Sequence, residues 1–550
     1  MMKQYKCLTF PALFSETVAK FGNHKAMALV GQDPLTYNEV NDHIKALIAF
    51  YEKLGIKPGD KVALLSTNMP NWGIVYYATT FMGAVIVPLL PEFSVDELTN
   101  ILAHSEAKAI FVSKGLLSKL KNVEIESLQY QIAIENFELI QSDNVQLKFD
   151  VSVCPELEYQ VVEDDMAAII YTSGTTGSSK GVMLSHKNIC FNATRSKTIH
   201  PIDETDRFLS ILPLSHTYEN TLGFVIPMIA GSCVYYLGKT PVPSLLLKAL
   251  KEVRPTIMFS VPLIIEKIYR SKILPSINGK VVTRVLYKIP FFRKKLNIVA
   301  GKKLMETFGG ALTFFGIGGA KLNSQVELFL REAKFPYAIG YGLTETAPLI
   351  AGIGPTLTKF QSTGSALMGV ELKIYQPDAH TGIGEVWAKG DNIMMGYYKE
   401  PEKTKEVLTD DGWFKTGDLA RMDKDNYLFI EGRLKNMIVG ASGENIYPEE
   451  IESVINNFKH VLESVVIEKG GKLVAMVHFN YEELEQQYKH MKKEVENFME
   501  TEVDKLKKEL QIYVNSKVNK FSQVQRVVEH IDPFQKTATH KIKRFLYHKK

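Results

Sequence analysis

Short, continuous apolar runs recur through the first four-fifths of this chain, and they constrain its fold more than any other feature. They begin with VALLS from Val62, AVIVPLL from Ala84, AIFVS from Ala109 and AAIIY from Ala167. FLSILPL from Phe208, CVYYLG from Cys233, TIMFSV from Thr256 and LTFFGIGG from Leu312 follow. Each is too short for an ordinary helix and apolar on successive residues, which is the pattern of a strand buried on both faces. Stretches with helical spacing, such as Asn38 to Leu54, lie between them. Strand–helix alternation of this kind predicts an α/β fold of parallel-rich sheets covered by helices. At 550 residues the chain exceeds what one compact core accommodates, so at least two domains are expected. The pattern changes after about Gly432, which predicts a large unit over 1–432 and a smaller α+β unit over 433–550. In the smaller unit, Leu484, Tyr488, Met491, Val495, Phe498, Val503, Leu506, Leu510, Val514 and Val518 fall at mostly three- and four-residue steps. They predict an amphipathic helix or helix pair packed on its own domain.

Composition narrows the function classes. Hydrophobic residues make up 45% and charged residues 23%, as in an ordinary soluble globular protein. The net charge of +4 is small for this length, and no aromatic–basic platform or known module points to nucleic acid. Cys7, Cys154, Cys190 and Cys233 are scattered with no CxxC pair, which fits a reducing compartment better than a disulfide framework or a zinc site. The N-terminus, MMKQYKCLTFPALF, has no long apolar core, so a cytoplasmic location is expected. The most apolar stretch, Leu222 to Tyr236, is interrupted by Pro227 and Gly231 and falls short of the roughly 20 residues a spanning helix needs. It reads as a buried helix followed by a strand.

Five strings carry chemistry. TSGTTGSSKG, Thr172 to Gly181, follows the run AAIIY and combines glycines, hydroxyl side chains and one lysine. Glycine lets backbone N–H groups approach a ligand, and hydroxyls and a lysine add donors and charge, so the loop suits a phosphate chain. It differs from the P-loop of ordinary NTPases, where Ser or Thr directly follows Gly-Lys, because Lys180 lies between Ser179 and Gly181. A flexible surface loop is the plain alternative. YGLTET, Tyr341 to Thr346, preceded by GIGGAKL from Gly316, joins a glycine-rich turn to a carboxylate flanked by threonines. DGWFKTGDLA, Asp411 to Ala420, offers Asp418 as an acceptor for ribose hydroxyls. EGRLKNMIVGASGENIYPEEIE, Glu431 to Glu452, and PFQKTATHKIKR, Pro533 to Arg544, complete the set.

In this order and spacing the five strings resemble the AMP-forming acyl-CoA synthetases of the adenylate-forming (ANL) superfamily, over nearly the whole chain. PLSHTYEN at Pro213 to Asn220 and FQKTATHKIKR are most similar to the long-chain fatty acid:CoA ligases. The resemblance implies a ligase that uses ATP and Mg²⁺ to activate a fatty acid as acyl-AMP and passes the acyl group to CoA. It implies that Thr172, Ser173, Gly174, Thr175, Thr176, Gly177 and Lys180 order the β- and γ-phosphates. Gly318, Gly319 and Ala320, with Tyr341 and Gly342, would line the adenine and acyl pocket. Thr344 would contact the α-phosphate, Glu345 with Thr176 would hold Mg²⁺, and Asp418 and Arg433 would grip the ribose. His216 would lie near the acyl and CoA passages. Lys435 stands at the family's hinge position, Lys541 at that of the lysine bridging carboxylate and α-phosphate, and Gly440 to Gly443 in the loop facing CoA. His540 departs from the family, where many members have glycine.

Other readings remain in view. His216 after a Pro-Leu-Ser turn also fits a satisfied core group, Glu345 an ion pair with a lysine, Asp418 a turn cap and Arg433 a surface ion pair. Lys536, Lys543 and Arg544 compete with Lys541. At the level of function, the alternatives are a ligase whose acceptor is a carrier-protein phosphopantetheine and a lipid-binding protein without catalysis. Tyr287 to Lys303 sets aromatics beside six lysines or arginines, a candidate for peripheral contact with anionic membrane or simply a solvated basic helix.

Overall fold

The computed structural model describes residues 5–141, 147–156, 159–172, 179–239, 241–440, 444–481, 484, 495–537 and 541–547. Two large sheets form the frame of the N-terminal part. One has eight strands in the order Gly396–Tyr397, Lys180–Ser185, Met166–Thr172, Val85–Leu89, Lys61–Leu65, Ala107–Val112, Tyr130–Ala133, Leu139–Gln141. The other has seven, in the order Tyr337–Ile339, Phe314–Ile317, Ile257–Ser260, Arg207–Ser210, Cys233–Tyr236, Lys25–Leu29, Leu35–Thr36. Their central strands pair in parallel and antiparallel pairs occur towards the edges. All eight apolar runs of the sequence lie on strands of these two sheets.

Helix Pro70–Phe81 touches Lys25–Leu29 of one sheet and Lys61–Leu65 and Val85–Leu89 of the other. Trp72 to Phe81 are all buried, so a helix apolar all round lies between two layers. Helix Tyr37–Lys53 starts on a capping box: Glu39 N–H donates to Thr36 Oγ1 at 3.2 Å, and Thr36 N–H returns to Glu39 Oε2 at 2.7 Å. Leu222 to Tyr236 forms a buried π-helical turn Glu219–Val225, helix Ile226–Ala230 and strand Cys233–Tyr236, as expected. Among the described residues no helix is long and apolar enough to cross a membrane.

One element departs from the sequence reading. Glu371–Tyr375, Gly384–Lys389, Phe414–Met422 and Leu428–Arg433 form a four-stranded antiparallel sheet ahead of residue 433. Its strands alternate charged and apolar residues, so they carry none of the continuous runs that mark the other two sheets.

Residues from Ile438 onward build a core of their own. Strands Val461–Lys469 and Lys472–Phe479 pair antiparallel, and Arg526–Glu529 joins in parallel. Helices Pro448–Ile455 and Val495–Asn515 contribute Ile451, Ile455, Leu506, Leu510 and Val514 to that core. The long amphipathic helix thus packs on its own unit. Arg270 donates to the carbonyls of Val461 at 3.0 Å and Asn456 at 2.8 Å, fixing this unit against the large one.

Candidate active site

The pairing of Phe414–Met422 with Leu428–Arg433 places Asp418 directly opposite Arg433. Arg433 Nε donates to Asp418 Oδ1 at 2.8 Å and the Tyr341 hydroxyl to Oδ2 at 2.7 Å. Asp418 is buried while the Arg433 side chain keeps solvent access. The Asp418 carboxylate holds the Arg433 guanidinium above its ordinary pKa, and burial together with Asp418 raises the Tyr341 phenol. Each carboxylate oxygen has a second lone pair, so Asp418 keeps acceptor capacity for hydroxyls of a ligand.

Tyr341 opens the second cluster. Strand Tyr341–Gly342 pairs with Leu349–Gly352, and a Cβ at 342 would lie 1.8 Å from the Pro348 carbonyl oxygen, so only glycine fits. The turn Thr344–Thr346 is tied down by Thr346 Oγ1, which accepts from Leu343 N–H at 2.9 Å and donates to the Pro348 carbonyl. Glu345 is thereby held at the tip of the turn. Its Oε1 accepts from the Tyr397 hydroxyl at 3.0 Å, and the Lys180 ammonium stands 4.5 Å from the Tyr397 ring centre. Tyr397 therefore links Lys180 to Glu345, a connection the sequence reading missed. Its only signal is the tyrosine pair in GYYKEP, Gly396 to Pro401.

Met166–Thr172 and Lys180–Ser185 are antiparallel neighbours with Thr172 opposite Lys180. The glycine- and hydroxyl-rich loop is thus a hairpin connection, unlike a P-loop, which leads from strand to helix. Ser173, Gly174, Thr175, Thr176 and Gly177 lie outside the described residues, as does Gly443. Gly318, Gly319 and Ala320 follow strand Phe314–Ile317. Gly318 is buried with its N–H on the Ser260 carbonyl at 3.1 Å, and a Cβ there would meet the Tyr218 ring at 3.1 Å. Tyr218, unmarked by the sequence reading, so borders the GIGGA turn.

The C-terminal segment reaches this region. Thr537 N–H donates to the Lys541 carbonyl at 2.8 Å and Lys543 N–H to Gln535 at 2.8 Å, a hairpin with Lys541 on its returning limb. Lys541 is exposed to solvent. Burial and then the Arg433 charge lower the Lys541 pKa, while Asp418 and Glu345 oppose the shift. His216, which accepts from Tyr218 N–H at 3.3 Å, is pushed down to about 4 by burial, with the Lys541 charge adding to the effect. Lys541, His216, Glu345, Asp418 and Arg433 therefore share one electrostatic neighbourhood built from both units. Lys536 and Arg544 are engaged elsewhere, with Glu463 and Glu452.

Two residues stand apart. Lys435 is exposed on the turn Leu434–Asn436, where Met437 N–H donates to the Arg433 carbonyl at 3.1 Å. Gly440 closes the hairpin of Ile438–Val439 with Asn445–Ile446, its N–H on the Glu444 carbonyl at 2.8 Å. Among the described residues no hydrogen bond or ion pair ties Gly440 to the cluster around Asp418.

The same fold is found in known proteins. The ATP-bound MatB structure from Rhodopseudomonas palustris superposes with a TM-score of 0.76 at 22% identity, covering 98% of each chain. The o-succinylbenzoate CoA synthetase from Bacillus subtilis in complex with its acyl-adenylate OSB-AMP gives 0.76 at 21% identity, again over 98% of each chain. In sequence, the chain is 27% identical to the long-chain-fatty-acid–CoA ligase heimdall of Drosophila melanogaster, over 81% of this chain and 72% of that one. It is 27% identical to a chloroplastic long-chain-fatty-acid–acyl-carrier-protein ligase of Arabidopsis thaliana, over 86% and 76%. The AMP-binding enzyme family model matches residues 14–398, and the chain belongs to that family.

Proposed function

We propose that this chain is a fatty acid:CoA ligase that forms acyl-AMP from a long-chain acid and ATP, then passes the acyl group to CoA, releasing pyrophosphate and AMP. The observation that supports the reading is that Lys541 of the C-terminal unit lies within electrostatic reach of Glu345, Asp418 and Arg433 of the large one. A carboxylate and a triphosphate are both anionic, so their approach needs fixed positive charge between them. Lys541 supplies that charge beside the α-phosphate, Arg433 and Asp418 hold the ribose, and Lys180 with residues 172–177 orders the outer phosphates. Catalysis then consists of positioning and charge stabilisation, with no covalent bond to the protein.

Glu345 suits a Mg²⁺ carried on the phosphates, because Tyr397 engages one carboxylate oxygen and the ligand is a hard one. No cluster of three or more acids, histidines or cysteines fit for a metal occurs among the described residues. A Mg²⁺ at Glu345, with Thr176 beside it, would therefore take its remaining ligands from phosphate and water. When bound it neutralises phosphate charge. For the second half-reaction, rotation about Lys435 withdraws Lys541 and presents Gly440 to Gly443 to the thiol, and the exchange also keeps water from the anhydride.

The test is AMP release by the purified protein with Mg·ATP and acids from acetate to stearate, with and without CoA. A CoA-dependent signal peaking at long chains is expected. The relative that uses an acyl carrier protein supports a second acceptor. Adenylation that turns over only with a loaded carrier would select it, and no AMP with any acid would refute both.

A further inference from the structure

We propose that the solvent side of helix Val281–Tyr287 and the start of helix Pro290–Thr307 is a docking surface for an anionic lipid bilayer. Helix Val281–Tyr287 buries none of its residues, which is unusual for a helix rich in valine and leucine. Val281 is 67% exposed, Val282 69%, Val285 54% and Phe291 63%, with Ile289 and Phe292 exposed beside them. Val281 and Val285 are four residues apart on the helix, so they stack along one face, and Ile289 lies in the extended link to the next helix. Phe291 and Phe292 pack edge to face with ring centres 5.5 Å apart and extend the apolar area past the helix end. A patch of this kind on a water-soluble surface marks an interaction site.

Charge identifies the partner. Residues 280–303 contain eight lysines or arginines and no acid. Among the described residues, Arg293 is the one of the eight with an ion pair, to Glu332 at 2.7 Å. Lys295 lies 4.4 Å over the Phe291 ring, so cation and aromatic occupy one spot. Exposed aliphatic and aromatic side chains in a segment this rich in cations match the two layers of a membrane interface, acyl boundary and anionic headgroups. An acidic protein would satisfy the cations and leave the valines and phenylalanines in water. The surface stands independently of the proposed ligase activity, because binding is read without substrate.

The test is sedimentation of the full chain with phosphatidylcholine vesicles, with and without phosphatidylserine, at about 0.05 and about 0.5 M salt. Binding to the anionic vesicles at low salt, falling at least tenfold at high salt, is expected. The exposed-site variants Val282→Asp/Phe291→Asp and Lys294→Glu/Lys295→Glu should each weaken it tenfold or more while circular dichroism and melting stay unchanged. Any of four results would overturn the proposal. These are no binding at low salt, binding that both variants leave intact (the basic end Lys536 to Lys550 then carries it), capture by polyglutamate in place of vesicles, and a dimer that Val282→Asp/Phe291→Asp dissociates.

Discussion

Replacing Arg544 by methionine should separate the two half-reactions without unfolding the protein. Arg544 Nη2 bonds Glu452 Oε2, and the other Glu452 oxygen accepts from Val466 N–H at 2.6 Å. The bond joins the Lys541 hairpin to helix Pro448–Ile455 of its own unit. Burial raises the Glu452 pKa to about 7 even though Arg544 pulls it down. Truncating one partner of a buried pair costs about 3–5 kcal/mol when the other charge is stranded. Here Glu452 escapes part of that cost by taking up a proton near neutrality, which leaves about 2 kcal/mol for the lost charged hydrogen bond. That corresponds to about a thirtyfold loss of the docked hairpin. Pyrophosphate release from acid and Mg·ATP should fall by that order, while thioester formation from supplied acyl-AMP stays within about threefold. The deficit should also grow with pH. A carboxyl whose folded pKa exceeds its unfolded value binds its proton more tightly when folded, so stability is lost as pH rises through the folded pKa. Without Arg544 that pKa moves higher still. An equal fall in both half-reactions with an intact fold, or undiminished adenylation, would refute the reasoning.

Three further outcomes follow from single residues. Lys541→Ala should lower adenylation by about 100-fold or more and leave thiolation of supplied acyl-AMP largely intact; equal loss of both would remove Lys541 from its role. Glu219, buried and raised to about 8 by burial, binds its proton when folded and releases it when unfolded between about pH 4.5 and 8. Its contribution therefore falls as pH rises, by up to about 1.4 kcal/mol per pH unit, and Glu219→Gln should flatten the pH dependence of urea unfolding over that window; an unchanged slope would show that the carboxyl is solvated. Gly342→Ala puts a Cβ 1.8 Å from the Pro348 carbonyl, so melting temperature and ATP affinity should both drop sharply, and a variant with native values of both would contradict the turn geometry.

The two large sheets were legible because each parallel strand is apolar on both faces and announces itself as a run. The antiparallel sheet was not, because Glu371, Lys373, Glu385, Lys389 and Lys415 alternate with the apolar residues that it buries. Asp418 and Arg433 were found as separate motif positions, but nothing local says that they oppose each other across one ladder. Tyr397 escaped for a related reason. Its contacts are with Glu345, 52 residues earlier, and with Lys180, so neither neighbour in sequence marks it as special.

The choice among the basic residues of the C-terminal segment shows most clearly what sequence leaves open. Lys536, Lys541, Lys543 and Arg544 are chemically interchangeable as positive charges, and family register alone favours Lys541. The fold distinguishes two of its competitors by giving them carboxylates within their own unit, Glu463 for Lys536 and Glu452 for Arg544. Those pairs pin the hairpin on either side of Lys541, and Phe534 anchors its base among Val465, Ile467 and Val474. The lysine within electrostatic reach of Glu345 and Asp418 is therefore the one whose neighbours are pinned on either side. Its electrostatic environment belongs to the other unit, and it arises where contacts such as those of Arg270 with the Val461 and Asn456 carbonyls bring the two together. A lysine held by such a docked contact can be withdrawn by breaking a few hydrogen bonds, which is what the proposed second step, with its different face of the same unit, requires.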